Sequence, residues 1–111
     1  WHGLARVGYD FDVLARKLST HFRVIAPDTI GRGLSSWSAN CDTDYCFDIY
    51  GKIVTDLCNK LGISEFGWIG TSMGGAFGIW LAGSIFRDRI SHLVINDIGP
   101  ELPQEAIDRI V

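Results

Sequence analysis

Ile69-Gly70-Thr71-Ser72-Met73-Gly74-Gly75 is a G-x-S-x-G set between two contrasting runs. Before it, Phe66-Gly67-Trp68-Ile69 reads as a short strand; after it, Gly74 to Phe86 reads as a helix apolar on nearly every face. A serine on a tight strand-to-helix turn needs small residues two positions to either side, because the strained backbone brings them against adjacent chain. Gly70 and Gly74 meet that need. The turn leaves Ser72 at a helix N-terminus, where the Met73 N–H is unpaired and faces developing negative charge. The same glycines also suit a plain strand-helix turn in which Ser72 is a local cap. Phosphate cradles fail on residues: no Lys-Ser or Lys-Thr pair follows the glycines, and Gly70-Thr71-Ser72 is not a G-x-G opening.

Upstream, Phe47, Tyr50, Val54, Leu57 and Leu61 step by three and four, which predicts a helix over Asp44 to Leu61 with Gly62 as its left-handed stop. Phe11, Leu14, Ala15 and Leu18 predict another from about Tyr9 to Ser19. Arg23-Val24-Ile25-Ala26, closed by Pro27, reads as a strand, and Asp28 to Thr43, with two glycines and three serines, as a loop. Downstream, Leu93-Val94-Ile95 reads as a third strand, and Pro103-Gln104-Glu105 as the first turn of a helix cut off at Val111. Helices alternating with short, continuously apolar strands define the α/β class, with a parallel sheet covered on both faces.

At 111 residues the chain holds one domain, and no linker or repeat divides it. Ten Lys plus Arg against thirteen Asp plus Glu, a net charge of -3 and no run of like charge argue against a nucleic-acid partner. No apolar stretch approaches the ~20 residues that cross a bilayer. Cys41, Cys46 and Cys58 form no C-x-x-C pair, which argues against a disulfide framework or a metal site and fits a reducing cytoplasm. The start at Trp1, which reads as the last residue of a buried element, suggests a piece of something longer.

Several separated motifs resemble the serine α/β-hydrolase superfamily, close to its bacterial esterase-like members. His2-Gly3-Leu4 resembles the family's H-G-x loop, and Pro27-Asp28-Thr29-Ile30-Gly31-Arg32-Gly33-Leu34-Ser35 its P-D-x-x-G-x-G-x-S loop. Gly70 to Gly75 resembles its strand-helix elbow, and Asn96 to Pro100 a segment following a later strand. The resemblance implies a partial α/β-hydrolase fold, a three-layer sandwich truncated at both ends. It implies Ser72 as nucleophile, the N–H groups of Leu4 and Met73 as oxyanion hole, and His2, Gly3, Gly70 and Gly74 as supporting loop. Asp97 stands either as triad acid or as a loop cap, since most relatives carry the acid one strand later. Asp28 and Ser35 are expected to brace the glycine loop through side-chain-to-backbone bonds.

The superfamily's triad runs Ser, then acid, then His, and no His follows Asp97. His92 stands at the start of a strand, roughly 16 Å from Asp97 at ~3.3 Å per residue, and His21 also precedes a strand. Neither is placed to serve Ser72, so the base is expected outside this sequence and the isolated chain is expected to be inactive. The reading is a cofactor-free serine hydrolase of carboxylic esters or related acyl compounds working through an acyl-serine. Its rival is a hydrolase-like binding module with Ser72 as relic.

Overall fold

The computed structural model describes residues 1–109. A 3-10 turn, Gly8–Phe11, leads into α1, Asp12–Leu18, so the predicted first helix is present with a tightened start. A single turn, α2 (Cys41–Asp44), precedes α3, Phe47–Leu61. Then come β1 (Phe66–Thr71), α4 (Met73–Gly83), β2 (Ile90–Asn96) and the short α5 (Gln104–Ile107). Val111, where the last predicted helix was cut, lies outside the described residues.

β1 and β2 pair in parallel, with Trp68 opposite Leu93, Gly70 opposite Ile95 and Thr71 opposite Asn96. Trp1 extends the ladder on the other side of β1: its backbone nitrogen donates to the Ile69 carbonyl, and its carbonyl accepts the Thr71 N–H at 3.1 Å. That is the bonding of one residue of a parallel strand opposite Gly70.

The Arg23–Ala26 strand is a correction. These residues form no strand, no neighbouring strand lies beside them among the described residues, and Val24 and Ile25 are exposed. A β-rich composition makes a strand only where a ladder partner takes its N–H and C=O groups. The helix predicted from Asp44 begins instead at Phe47, with Cys46 extended before it. Tyr45 explains the delay: its hydroxyl accepts the Ser38 N–H at 3.3 Å and its ring lies against Gly31, so the side chain serves the loop and not a helix face. Gly62 ends α3 as expected, at φ 65°, and the Ile63 N–H returns to the Cys58 carbonyl at 2.9 Å.

The core centres on Phe77 of α4, fully buried. Trp1, Phe47, Tyr50, Trp68 and Trp80 surround it with ring centroids 5.1–6.2 Å away. Leu81 is also fully buried, and Phe86 beyond the helix packs edge-on against Phe66 at 5.4 Å. α4 thereby covers the sheet face carrying Trp68, Leu93 and Ile95, with α3 packed against α4. Among the described residues no helix is long and apolar enough to cross a membrane.

Candidate active site

Ser72 sits between β1 and α4 with φ 51° and ψ -117°, a left-handed φ that a non-glycine residue seldom adopts and that costs about 1–3 kcal/mol. Three backbone bonds hold it there. Its N–H donates to the Asn96 carbonyl at the end of β2 (2.9 Å), and its carbonyl accepts from Gly75 (2.8 Å) and Ala76 (3.0 Å), opening α4. A Cβ on Gly70 would lie 2.1 Å from the Gly74 carbonyl oxygen, and one on Gly74 would lie 2.2 Å from the Trp1 carbonyl oxygen. Both obstacles are backbone and cannot swing aside, so the two glycines are required by space. Trp68 braces the turn from below, its indole N–H donating to the Gly74 carbonyl at 2.9 Å.

The chain beyond Trp1 passes over this turn. A Cβ at Gly3 would stand 3.6 Å from Ser72 Cβ, so His2-Gly3-Leu4 borders the serine directly. His2 is 1% exposed, and both ring nitrogens are engaged. The Thr29 N–H donates to Nε2 at 2.9 Å, which makes Nε2 an acceptor and leaves the proton on Nδ1, 2.8 Å from the Gly3 carbonyl it donates to. Burial lowers the His2 pKa; its bond to Gly3 and the charge of Asp28 pull the other way with less effect. His2 is thus a neutral tie between two loops, with no nitrogen left for Ser72.

In a trans peptide N–H and C=O point in opposite directions. The Gly3 carbonyl is held by His2 and by the Arg6 N–H (3.2 Å), so the N–H of the same plane, that of Leu4, is turned away from both. Among the described residues neither the Leu4 N–H nor the Met73 N–H has a hydrogen-bond acceptor, and Ser72 Oγ has no partner.

The glycine loop is built as expected from Asp28. Its carboxylate accepts the N–H groups of Gly8 (2.7 Å) and Leu34 (2.8 Å), which hold its pKa below the usual carboxylate range, the Leu34 bond contributing most. Ser35 Oγ donates to the Asp28 carbonyl at 2.7 Å.

Asp97 directly follows the residue that accepts the Ser72 N–H, at the same edge of the sheet. It is exposed, has φ 58°, and makes no side-chain hydrogen bond among the described residues. His92 pairs with Gly67 at the other end of β2, four positions from Asn96 and so roughly 13 Å away along the strand. His21 lies beyond the end of α1. Trp68 is core, whereas Tyr9 and Trp37 are exposed, at 74% and 80%.

Two residues escaped the sequence reading. Thr29, fully buried against His2, and Arg32, which donates to the Leu4 carbonyl at 3.0 Å, both sit inside the Pro27–Ser35 motif. The motif located them, but nothing in its spacing announced a bond 27 or 28 positions back along the chain.

A parallel sheet whose strand turns through a strained serine into a buried helix is the framework of the α/β hydrolases. The family model described as alpha/beta hydrolase fold matches residues 1–110, and the chain belongs to this family. It is 40% identical over 109 residues to a 3-hydroxybutyrate-oligomer hydrolase of Cupriavidus necator, covering 98% of this chain and 36% of that protein. It is 33% identical over 81 residues to a magnesium-chelatase 30 kDa subunit of Rhodobacter capsulatus, covering 73% of this chain and 28% of that protein. Among solved structures it resembles an alpha/beta hydrolase from Novosphingobium aromaticivorans DSM 12444, with TM-score 0.88 and 37% identity. A putative hydrolase from Rickettsia typhi gives TM-score 0.91 and 33% identity; each superposition covers 98% of this chain and 38% of the other. The chain therefore spans about a third of the length of the curated relatives it matches.

Proposed function

We propose that the protein is a serine hydrolase that cleaves carboxylic esters or related acyl compounds, taking a small-molecule acyl substrate and no cofactor. Ser72 is the nucleophile. Its Oγ attacks the acyl carbon as a base removes its proton; the carbonyl oxygen turns negative and is received by the N–H groups of Leu4 and Met73. Collapse expels the alcohol with a proton from that same base and leaves an acyl-serine, which water hydrolyses by the reverse proton movements. His2, Gly3, Gly70 and Gly74 shape the loops that carry these donors. Asp97 is the candidate acid at the sheet edge. His92 stands at the far end of β2 and both nitrogens of His2 are engaged, and this reading assigns the base to an imidazole outside the described residues.

The observation that carries the reading is a serine at left-handed φ whose hydroxyl has no partner among the described residues, with the N–H groups of Leu4 in the neighbouring loop and of Met73 at the start of α4 also without acceptors there. An aimed backbone donor lowers the barrier by roughly 3 kcal/mol. The name of the C. necator relative, a hydrolase, is consistent with this chemistry. The second reading is a hydrolase-like binding module in which Ser72 does no chemistry. A fluorophosphonate probe on the full-length protein separates the two. The enzyme is labelled at Ser72, and Ser72→Ala loses both label and ester turnover; a binding module shows neither label nor turnover.

A further inference from the structure

Leu4 joins two peptide planes. The plane before it carries the N–H assigned above to the oxyanion and is fixed through the Gly3 carbonyl by His2 and Arg6. The plane after it ends in the Leu4 carbonyl, whose partner among the described residues is Arg32 Nε–H at 3.0 Å. Leu4 itself is 45% exposed, so packing does little to hold it.

Arg32 is itself fixed. Nη1 donates to the Ile30 carbonyl (3.1 Å) and to the Tyr50 hydroxyl (3.0 Å), and the guanidinium carbon lies 5.7 Å from the centroid of the Tyr45 ring. Tyr50 belongs to the core on α3. A line of support therefore runs from a buried helix through Tyr50 and Arg32 to the loop bordering Ser72. The task suits a planar fork with donors in set directions, whereas a lysine offers one flexible ammonium.

We propose that Arg32 is a positioning residue: by holding the Leu4 carbonyl to α3 it fixes the second plane at Leu4 and so keeps the Leu4 N–H aimed at the developing oxyanion. The proposal rests on the reading of Ser72 and Leu4 given above. It distinguishes Arg32 from a loop staple, because an aiming device acts on the transition state more than on bound substrate.

The test measures kcat and KM of the full-length protein on p-nitrophenyl butyrate, well below each variant's melting temperature. Arg32→Met is expected to lower kcat about tenfold or more while KM moves less than about twofold, because a misaimed oxyanion donor weakens transition-state binding alone. Arg32→Lys falls between, and Tyr50→Phe, which removes the anchor and leaves the Leu4 contact, lowers kcat in the same sense by less. If Arg32→Met melts at the assay temperature, the other two decide. Unchanged kcat in these variants, with turnover still abolished by Ser72→Ala, overturns the role of Arg32 and leaves the serine reading standing. Turnover that survives Ser72→Ala removes the serine reading and this proposal with it.

Discussion

At the scale of single residues, glycine separates what the serine turn needs from what the chain merely tolerates. A Cβ at Gly70 or Gly74 meets backbone at 2.1–2.2 Å, so Gly70→Ala and Gly74→Ala are each expected to destabilise by about 1–3 kcal/mol or more. Gly83 ends α4 with nothing within 4 Å of its Cβ position and without a positive φ. Gly83→Ala should therefore stabilise by about 0.4–1 kcal/mol through the unfolded state. Urea midpoints of the three variants check both signs. His2 adds a pH dependence. Burial holds its folded pKa below the unfolded value of about 6.5, so the unfolded chain takes up the proton first. The contribution of neutral His2 is complete above about pH 6.5 and is lost as pH falls from there toward the folded value. His2→Asn should flatten that part of a stability-against-pH curve, and an unchanged slope would show that His2 is not the titrating group. Much of the site was legible at this scale, because G-x-S-x-G and H-G-x are spacing rules imposed by backbone geometry. Thr29 and Arg32 were not, because their bonds join segments whose proximity only the fold creates.

Among the elements, α4 shows how far tertiary packing overrides propensity. Four of its eleven residues are glycine, each costing about 1 kcal/mol against alanine in a helix interior, so the segment would not hold as an isolated helix. Its glycines let it approach the sheet: a Cβ at Gly78 would fall 2.4 Å from the Trp68 ring, and one at Gly75 would fall 3.0 Å from Ile95. Phe77 then fills the space among five aromatic rings. Phe77→Ala is expected to cost about 3–5 kcal/mol, read from chemical denaturation followed by tryptophan fluorescence. The continuous apolar run from Ala76 to Leu81 announced this burial, and period and length were enough to find α3, β1 and β2. What periodicity missed were outcomes set by a partner. Arg23–Ala26 has strand composition without a ladder neighbour, and Tyr45 is drawn out of helix register by Gly31 and Ser38.

For the whole molecule, surface area decides the behaviour of the chain by itself. A folded monomer of 12.3 kDa exposes roughly 6,100 Å² by the usual size scaling, whereas this structure exposes 7662 Å². The excess of about 1,600 Å² has an identifiable apolar part. Alternation along β2 puts Val94 on the face opposite α4, where it is 51% exposed; Val24 and Ile25 are open, and Leu34 is fully so. Apolar surface of this extent favours association over a dispersed monomer, since water gains by its removal at about 25 cal/mol per Å². The 111-residue chain expressed alone is therefore expected to sediment as dimers or larger species at micromolar concentration and to enhance the fluorescence of an apolar dye. On the function proposed above, in which the base lies outside the described residues, it is also expected to hydrolyse p-nitrophenyl butyrate on the order of 10⁶-fold more slowly than the full-length protein. A monodisperse monomer that leaves the dye dark would contradict the surface argument. Turnover near that of the full-length protein, lost in Ser72→Ala, would place the missing base within these residues.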